Sequence, residues 1–232
     1  MDKKPTARER ILFLSDENAF VETNRESVFV NPLEVEGYIE RLEKEREKSG
    51  ENEAVIVGTT QIFGEKTCIF AFEPSFMMGS MGAAVGEKIT RIFEFATENA
   101  LPVIGITASG GARLQEGIIS LMQMAKTAAT VKRHSDKGLF YLSVLTDPTM
   151  GGATASFAML GDVVIAEPHA RVGFAGKRVV ERMSGKSVSD DFQTAEFQLK
   201  NGFIDDIVPL EKQREYIGFM LKTNKKKDAQ NG

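Results

Sequence analysis

The sequence predicts an α/β fold with much parallel strand pairing. Short apolar runs rich in β-branched residues alternate along the chain with stretches of helical period. Two of those runs end at a Gly-Gly pair and pass at once into a helical pattern. The 232 residues, of which 42% are hydrophobic and 27% charged, suffice for one large core, and no linker divides them. We therefore expect a single domain over residues 1–232.

Charge and composition argue against several classes of protein. The formal net charge of −4 gives no reason to expect a nucleic-acid partner. No apolar run reaches transmembrane length and the first residues lack the apolar segment of a signal peptide, so we expect a cytoplasmic protein without a membrane partner. Cys68, the single cysteine, excludes an internal disulfide and a Cys-rich zinc site, and its apolar surroundings in the sequence predict a buried side chain.

The first hundred residues are predicted to form three helices and a strand hairpin. Thr6 followed by Glu9 is the pattern of a capping box at a helix N-terminus. Phe63-Gly64-Glu65 separates two β-rich runs and is typical of a hairpin connection. The predicted elements are a helix over 6–14, a charged helix over 32–48 with its apolar stripe at Tyr38, Ile39 and Leu42, strands over 54–58 and 66–73, a glycine-punctuated loop over 76–82 and a helix over 83–99.

A strand, a glycine turn and a helix between residues 103 and 125 organise the rest of the chain. The strand breaks at Ser109-Gly110-Gly111, after which the apolar residues follow one helical stripe: Leu114, Ile118, Leu121, Met122 and Ala125. Such a turn leaves backbone N–H groups unpaired at the start of a helix and lets a ligand approach the backbone. It suits an oxyanion, either a phosphate oxygen or one that forms during a reaction.

A second unit of the same design follows about forty residues later. The apolar run 139–145 breaks at residues 146–152, which end in Gly151 and Gly152, and a helix of small residues is expected over 153–160. The two units together are more informative than either turn alone. The remaining predicted elements are strands over 163–166, 171–174 and 204–208, helices over 192–200 and 210–221, and a polar, disordered tail over 225–232 that begins with Lys225.

Side chains suited to catalysis are scarce in this sequence. His134 lies in a polar segment that we expect to be exposed, His169 has no evident partner, and both read as ordinary surface or cap histidines. Ser80, within Gly79-Ser80-Met81-Gly82, lacks the Gly-x-Ser-x-Gly spacing of a nucleophile elbow, so a turn serine or a backbone contact to a ligand is the better interpretation. No metal-ligand spacing is present.

Arg113 and the backbone remain as candidate site groups. Arg113 falls in the first turn of the predicted helix, where a cation opposes the dipole, so it indicates either an anionic ligand or a local carboxylate such as Glu116. The two glycine turns offer N–H donors without any essential-looking histidine, cysteine or metal. That combination suits a reaction through an enolate, in which stabilising the oxyanion is the main task.

Several long motifs strongly resemble the β subunit of the bacterial acetyl-CoA carboxylase carboxyl transferase. The resemblance extends over residues 6–210 and its motifs are long enough to make chance agreement improbable. The matching stretches are Ser109-Gly110-Gly111-Ala112-Arg113-Leu114-Gln115-Glu116-Gly117, residues 147–157, residues 79–82 with 86–90, residues 160–162 and 173–176, Phe192-Gln193 with Ala195-Glu196-Phe197, residues 7–11 and Asn31-Pro32-Leu33.

The resemblance implies a fold, a reaction and partners. The fold would be crotonase-like (ClpP-like), built of repeated ββα units with peptide N–H oxyanion holes. The reaction would move a carboxyl group from carboxybiotin on a biotin carboxyl carrier protein to acetyl-CoA, giving malonyl-CoA for fatty acid synthesis. A like-folded α subunit would complete the site, in an assembly of two α and two β subunits.

The resemblance also implies which residues form the site. Gly110 and Gly111 would supply one set of N–H donors, and Gly151 and Gly152 the other, for the thioester enolate and the biotin ureido oxygen, with the assignment of pair to oxygen left open. The implied ligand-binding residues are Ser80, Met81, Gly82, Ala112 and Arg113.

Three departures from the family are visible in the sequence. The family usually carries an N-terminal four-cysteine zinc ribbon, and this sequence begins where that ribbon would end, so no zinc is expected. Met78 stands where the family tends to have glycine, and Lys177 where it tends to have proline, which affects the expected loop shapes more than the chemistry. Two other interpretations remain open: a subunit of a related biotin-dependent or malonyl-thioester decarboxylase, and a non-catalytic partner that keeps the fold.

Overall fold

A computed structural model describes residues 4–26, 31 and 33–224 of the chain. Three short 3₁₀ turns lie between the main elements, at Met77–Gly79, Leu114–Glu116 and Phe157–Met159. The helices and strands, in chain order, are α1 (Ala7–Leu14), β1 (Val21–Thr23), α2 (Tyr38–Ser49), β2 (Val55–Ile62), β3 (Glu65–Phe72), α3 (Ala83–Glu98), β4 (Val103–Ser109), α4 (Gly117–Asp136), β5 (Tyr141–Met150), α5 (Gly151–Thr154), β6 (Val163–Ala166), β7 (Val172–Gly173), α6 (Lys177–Ser184), α7 (Ala195–Lys200), β8 (Asp206–Ile207) and α8 (Leu210–Thr223).

The strands of the described residues form one eight-stranded mixed sheet. β1, β2 and β3 pair antiparallel, while β3, β4, β5, β6 and β8 follow one another in parallel. β7 adds to the far end of β5, where Thr149 pairs with Val172. Parallel neighbours end at the same edge of a sheet, so the turns that follow β4 and β5 are brought side by side. The predicted α/β fold with parallel pairing is confirmed.

Helices cover both faces of the sheet; β4 is buried along its whole length, as are the last six residues of β3 and the first six of β5. Alternate residues of β3 point to opposite cores: Phe70 packs with α2 and α3, whereas Ile69 packs with α1 and α8. β4 and β5 divide in the same way, which explains why their sequences are continuously apolar rather than alternating. The buried Cys68 side chain lies in the first of these cores, as the sequence predicts, and burial raises its pKa to about 12.

The N-terminal helix begins with the predicted capping box. The Glu9 N–H donates to Thr6 Oγ1 at 3.2 Å, and the Thr6 N–H donates to Glu9 Oε2 at 2.7 Å. Both bonds satisfy backbone donors that have no partner inside the helix. The hairpin of β2 and β3 through Phe63 and Gly64 is also confirmed.

Three predicted elements differ from the structure, and one observed helix is not predicted. The second helix starts at Tyr38 rather than near 32, and Pro32 itself lies outside the described residues, as does the predicted tail over 225–232. The helix expected over 153–160 is the four-residue α5 followed by a 3₁₀ turn, because Ser156 adopts non-helical angles. The helix expected over 192–200 begins only at Ala195, after its Thr194 cap. α6 follows Gly176 in a stretch where the sequence patterns predict no helix.

In the long helix α4 the apolar stripe faces solvent and mostly polar residues face the core, which is the reverse of the usual arrangement. The apolar stripe that the sequence predicts is exposed to solvent: Leu114 just before the helix, then Ile118, Leu121, Met122 and Ala125. Its buried residues are mostly polar, and three of them, Gln123, Thr127 and Thr130, hydrogen-bond to carbonyls of their own helix. An apolar stripe that this chain does not cover is typical of a surface used in assembly.

Candidate active site

The two glycine turns meet backbone against backbone. A Cβ on Gly151 would lie 3.1 Å from the Gly111 Cα, and a Cβ on Gly111 would lie 3.4 Å from the Gly152 nitrogen. Both glycines adopt positive φ, +108° at Gly111 and +63° at Gly151, which side chains disfavour. The sequence therefore places glycine here for two reasons, contact and conformation. The predicted turn residues Gly110, Gly111, Gly151 and Gly152 come together at one place.

The N–H groups of three of these glycines have acceptors inside the protein. Gly110 donates to the Met78 carbonyl at 2.9 Å, and Gly111 to Ser109 Oγ at 3.1 Å. Gly151 donates to the Phe174 carbonyl at 3.1 Å. The expectation that the first turn leaves its N–H groups unpaired at a helix start is wrong, because α4 begins only at Gly117 and the turn packs against the 76–80 loop instead.

The N–H groups that remain available lie one residue further along the chain. Among the described residues, no acceptor is found for the N–H of Ala112. Gly152 lies in the first turn of α5, where an N–H has no intrahelical acceptor. A Cβ on Gly152 would lie 3.6 Å from the Ala112 nitrogen, so the two N–H groups are neighbours. The donor pair that the geometry favours is thus Ala112 with Gly152, at one locus.

The Ser80–Gly82 segment is joined to the first turn by a parallel bridge between Met81 and Ala112. The Met81 N–H donates to the Gly111 carbonyl at 2.8 Å, and the Arg113 N–H donates to the Met81 carbonyl at 3.0 Å. This pairing fixes Ala112 between two hydrogen bonds. The side chain of Met81 is fully buried, and Gly82 packs against the Glu116 carboxylate, so these two residues support the turn from beneath.

The guanidinium group of Arg113 is bound by partners within the protein. Only 1% of the residue is exposed, and its guanidinium forms a two-bond ion pair with Glu53, with 3.1 Å between Nη1 and Oε2. It also donates to Ser80 Oγ at 3.1 Å and to the Ser80 carbonyl at 2.9 Å. Burial would lower the pKa of Arg113, but the Glu53 carboxylate outweighs it and raises that pKa. Arg113 therefore pairs with local carboxylates, which is one of its two predicted roles, and it also holds Ser80.

Glu116 links the same network to the start of α3. Its Oε2 accepts the Ala83 N–H at 2.5 Å, which satisfies a first-turn donor of that helix. Its Oε1 accepts the hydroxyl of Tyr38 at 2.6 Å and lies 3.4 Å from Arg113 Nη1. Burial raises the pKa of Tyr38, so this hydroxyl keeps its proton and remains a donor. The sequence names Glu116 as a partner of Arg113 but gives no signal for Glu53 or Tyr38, which lie 60 and 75 residues away.

Comparison with known proteins decides the family. A model of the carboxyl transferase domain matches residues 2–217. The chain belongs to the carboxyl transferase family. An acetyl-coenzyme A carboxylase carboxyl transferase subunit beta 2 from Lachnospira eligens is 58% identical over 215 residues, which cover 93% of this chain and 83% of that protein. A carboxyl transferase subunit beta from Ruminiclostridium cellulolyticum is 54% identical over 93% of this chain and 75% of its own length. The predicted resemblance is confirmed.

Solved structures show the same fold. Transcarboxylase 12S, solved with hydrolysed methylmalonyl-coenzyme A bound, superposes with a TM-score of 0.79 at 27% identity over 94% of this chain. This chain spans 41% of the length of that one. A malonate decarboxylase hetero-dimer from Pseudomonas gives a TM-score of 0.74 at 23% identity and covers 94% of this chain and 86% of its own, which shows the fold alone. The predicted crotonase-like fold is confirmed.

Both histidines of this carboxyl transferase make contacts with residues outside the glycine turns. His134 is fully buried, so the expectation of an exposed residue is wrong. Its Nε2 lies 3.0 Å from the Leu101 carbonyl and its ring packs edge-on against Phe93, where burial lowers its pKa. His169 is exposed, as predicted, and pairs with Glu196 at 3.0 Å. In the described part of the chain, neither side chain hydrogen-bonds to a turn residue.

Two further findings concern ligands and location. Over residues 4–26, 31 and 33–224, no three His, Cys, Asp or Glu side chains are arranged to hold a metal ion. In the same residues no helix is long and apolar enough to cross a bilayer.

Exposed apolar side chains surround the turns. Met78, whose carbonyl accepts the Gly110 N–H, is 70% exposed; Phe174, whose carbonyl accepts the Gly151 N–H, is 66% exposed; and Leu114, two residues after Ala112, is 87% exposed. We call these three residues the site rim. α6, which follows Phe174 in the chain, buries no residue. The surface around the turns therefore carries apolar side chains that the described residues leave exposed.

Proposed function

We propose that this chain is the acetyl-CoA-binding subunit of an acetyl-CoA carboxylase carboxyl transferase. It catalyses transfer of a carboxyl group from carboxybiotin, held by a biotin carboxyl carrier protein, to acetyl-CoA, and the product is malonyl-CoA for fatty acid synthesis. The observation that carries this proposal is the pair of neighbouring N–H groups of Ala112 and Gly152 at the meeting of the two turns. The names of the two β-subunit relatives agree with it.

The geometry suits a thioester enolate. Removing a proton from the methyl group of acetyl-CoA develops negative charge on the thioester oxygen, and two fixed N–H donors stabilise that charge more than the neutral carbonyl. Gly111 and Gly151 carry no Cβ that would push the two turns apart, so the backbone of Gly152 stays close to that of Ala112. Loss of one such donor typically costs about 2.7–4 kcal/mol of transition-state stabilisation.

In the net reaction, a methyl C–H bond and the N–carboxyl bond of carboxybiotin are exchanged for a C–C bond and a biotin N–H bond. Carboxybiotin, when bound, supplies the electrophilic carboxyl carbon. The residues of this chain hold the enolate oxygen through Ala112 and Gly152, and the buried Arg113 network keeps the Ser80–Gly82 segment in register with them. The chemistry is that of positioned backbone donors rather than of a titrating side chain.

A partner subunit belongs to the proposal. The resemblance assigns two oxygens to two donor sets, but both turns of this chain meet at one locus, which fits one oxygen. The biotin ureido oxygen then requires donors from another chain, and we propose that a like-folded α subunit supplies them in an assembly of two α and two β subunits in the cytoplasm. The exposed stripe of α4, represented by Ile118, Leu121 and Met122, supports such an interface.

Reconstitution tests the proposal directly. The chain, a partner α subunit, biotinylated carrier and acetyl-CoA are combined, and malonyl-CoA is measured with each component left out in turn. We expect malonyl-CoA only from the complete mixture. Release of CO₂ from a malonyl thioester without any acceptor would instead indicate a decarboxylase subunit. Assembly with the α subunit but no turnover with any acyl-CoA would indicate a non-catalytic partner.

A further inference from the structure

The 76–80 loop carries an unusual backbone beside the first glycine turn. Met77 and Met78 both adopt positive φ, +44° and +58°. Single non-glycine residues in this region are uncommon, and they persist only where their surroundings hold them. Gly79, the next residue, packs so closely that a Cβ there would lie 1.9 Å from the Ala108 carbonyl oxygen. The backbone of the 76–80 loop is therefore strained at Met77 and Met78, and close contacts with β4 hold it in that conformation.

Hydrogen bonds hold Met78 in that conformation. Its carbonyl accepts the Gly110 N–H at 2.9 Å, while the Ser80 N–H donates to the Met77 carbonyl at 3.1 Å. Ser109 Oγ donates to the Gly79 carbonyl at 2.6 Å and thereby joins the loop to the end of β4. Met78 cannot relax without breaking contacts on both sides.

The Met78 side chain folds over the turn instead of entering the core. A Cβ on Gly110 would lie 3.5 Å from the Met78 Cε and 3.6 Å from its Cβ, so the side chain lies over Gly110. Yet the residue is 70% exposed, in contrast to Met77, which is buried. An exposed side chain gains little from burial to compensate for backbone strain. Strain of this kind is concentrated at functional sites, and methionine is a flexible apolar side chain suited to contacting ligands.

We propose that Met78 is a specificity-determining residue that limits the length of the acyl group admitted to the site. The inference rests on the proposed function, which places a thioester carbonyl at Ala112 and Gly152. The Gly110 carbonyl oxygen lies 3.6 Å from the Cβ position of Gly151, so the side chain that covers Gly110 adjoins the locus where the acyl carbon sits. The methyl group of acetyl-CoA fits beside the thioether of Met78, whereas a longer acyl chain would collide with that side chain.

The test compares acyl-CoA substrates in the complete complex with its α subunit and biotinylated carrier. The variants are Met78→Ala, which shortens the side chain, Met78→Leu, which keeps its volume, and Met78→Gly, which also removes the strain. Phe219→Ala is the control, because Phe219 is an exposed apolar residue on α8, across the sheet from α3. The readout is the ratio of kcat/KM for propionyl-CoA and butyryl-CoA to that for acetyl-CoA.

We expect this ratio to rise about 10-fold or more in Met78→Ala and Met78→Gly, since one methylene in an apolar pocket is worth roughly 10- to 200-fold in discrimination. Met78→Leu and Phe219→Ala should keep the parental ratio. Met78→Gly should also melt at a higher temperature than Met78→Ala, because alanine keeps the Cβ that makes positive φ unfavourable. If Met78→Ala folds poorly, Met78→Gly still provides the comparison. If acetyl-CoA is carboxylated normally but the ratio is unchanged in both small variants, the role of Met78 is wrong and the proposed function stands. If the parental complex carboxylates no acyl-CoA, the proposed function itself is wrong, and this inference with it.

Discussion

Gly111 and Gly151 are in direct backbone contact, although they are forty residues apart and end two different strands. A Cβ on Gly151 would lie 3.1 Å from the Gly111 Cα, closer than neighbouring groups ordinarily allow. This contact places the Ala112 and Gly152 N–H groups side by side. The parallel pairing of β4 with β5 is what makes it possible, since Ser109 is in register with Thr149.

Substitution of Gly111 by alanine should therefore separate catalysis from folding. The new Cβ would press on Gly151 at a φ of +108°, and the adjacent Ala112 N–H would be misdirected. We expect kcat to fall roughly 100- to 1,000-fold while acetyl-CoA binding changes much less, because the donor acts mainly in the transition state. Turnover, substrate affinity and melting temperature are to be measured on the same preparation.

Gly50→Ala is the matched control for that experiment. Gly50 also has positive φ, +74°, and lies at the end of α2, but a Cβ there would meet no atom of the described residues within 4 Å. This variant should lose about 1 kcal/mol of stability and retain its turnover. If both variants lose activity only in proportion to their loss of stability, the oxyanion role of the turns is unsupported.

Removing one partner of the ion pair between Arg113 and Glu53 should destabilise the chain strongly. Both side chains are almost fully buried, so replacing Arg113 by methionine leaves the Glu53 carboxyl group in the core without its guanidinium partner. Breaking a buried pair in this way typically costs about 3–5 kcal/mol. Arg133→Met, which breaks an exposed pair with Glu94, should cost at most about 1 kcal/mol. Urea denaturation of both variants measures the difference, and equal losses would contradict the assignment.

Local patterns predicted the strands, the glycine turns and the capping box of α1, because each depends on residues close together in sequence. The partners of Arg113 could not be predicted in the same way: Glu53 reaches it only after β2 and β4 join one sheet. The same limit explains the donor assignment. Sequence identified the two turns, but only the contact between them shows that Ala112 and Gly152 are neighbours.

Helix α4 illustrates a different limit of sequence patterns. The sequence period located the apolar stripe of α4 but did not show which side of the helix faces the core. An apolar stripe that is exposed has the same period as one that is buried. Burial of His134, Gln123 and Thr127 shows that the polar side faces inward here. The small residues expected in a helix over 153–160 serve the core of this chain, because Ala153, Phe157 and Ala158 are buried within it.

A charge on the exposed stripe of α4 should prevent assembly without unfolding the chain. Ile118 is 62% exposed, so Ile118→Glu should leave the melting temperature of the isolated chain nearly unchanged. In an interface with an α subunit, the buried carboxylate would be unpaired, and binding should weaken by 100-fold or more, roughly 2.7 kcal/mol. Phe219→Glu, at equal exposure on α8, is the control. Calorimetric titration with the α subunit checks both, and equal weakening would place the interface elsewhere.

The stability of the chain should fall as the pH drops below about 6.5, with His134 as a cause. Burial lowers the pKa of His134 in the folded chain, and a hydrogen bond to the Leu101 carbonyl opposes this only in part. The folded pKa therefore lies below the ordinary value of about 6.5, so the unfolded chain binds more protons in the window beneath 6.5. Folding is penalised there by up to about 1.4 kcal/mol per pH unit. The proton would have to enter at Nδ1, for which the described residues provide no hydrogen-bond partner.

His134→Gln isolates this effect, because glutamine can donate to the Leu101 carbonyl but does not titrate. We expect the unfolding free energy of the parent to decline more steeply than that of His134→Gln between pH 6.5 and 5, while the two run parallel between pH 7 and 8. His169→Ala should keep turnover within a few-fold, since its side chain is 88% exposed and pairs with Glu196. Parallel curves for the parent and His134→Gln below pH 6.5 would rule out His134 as the titrating group. A loss of turnover of about 100-fold in a folded His169→Ala would instead return a histidine to the mechanism.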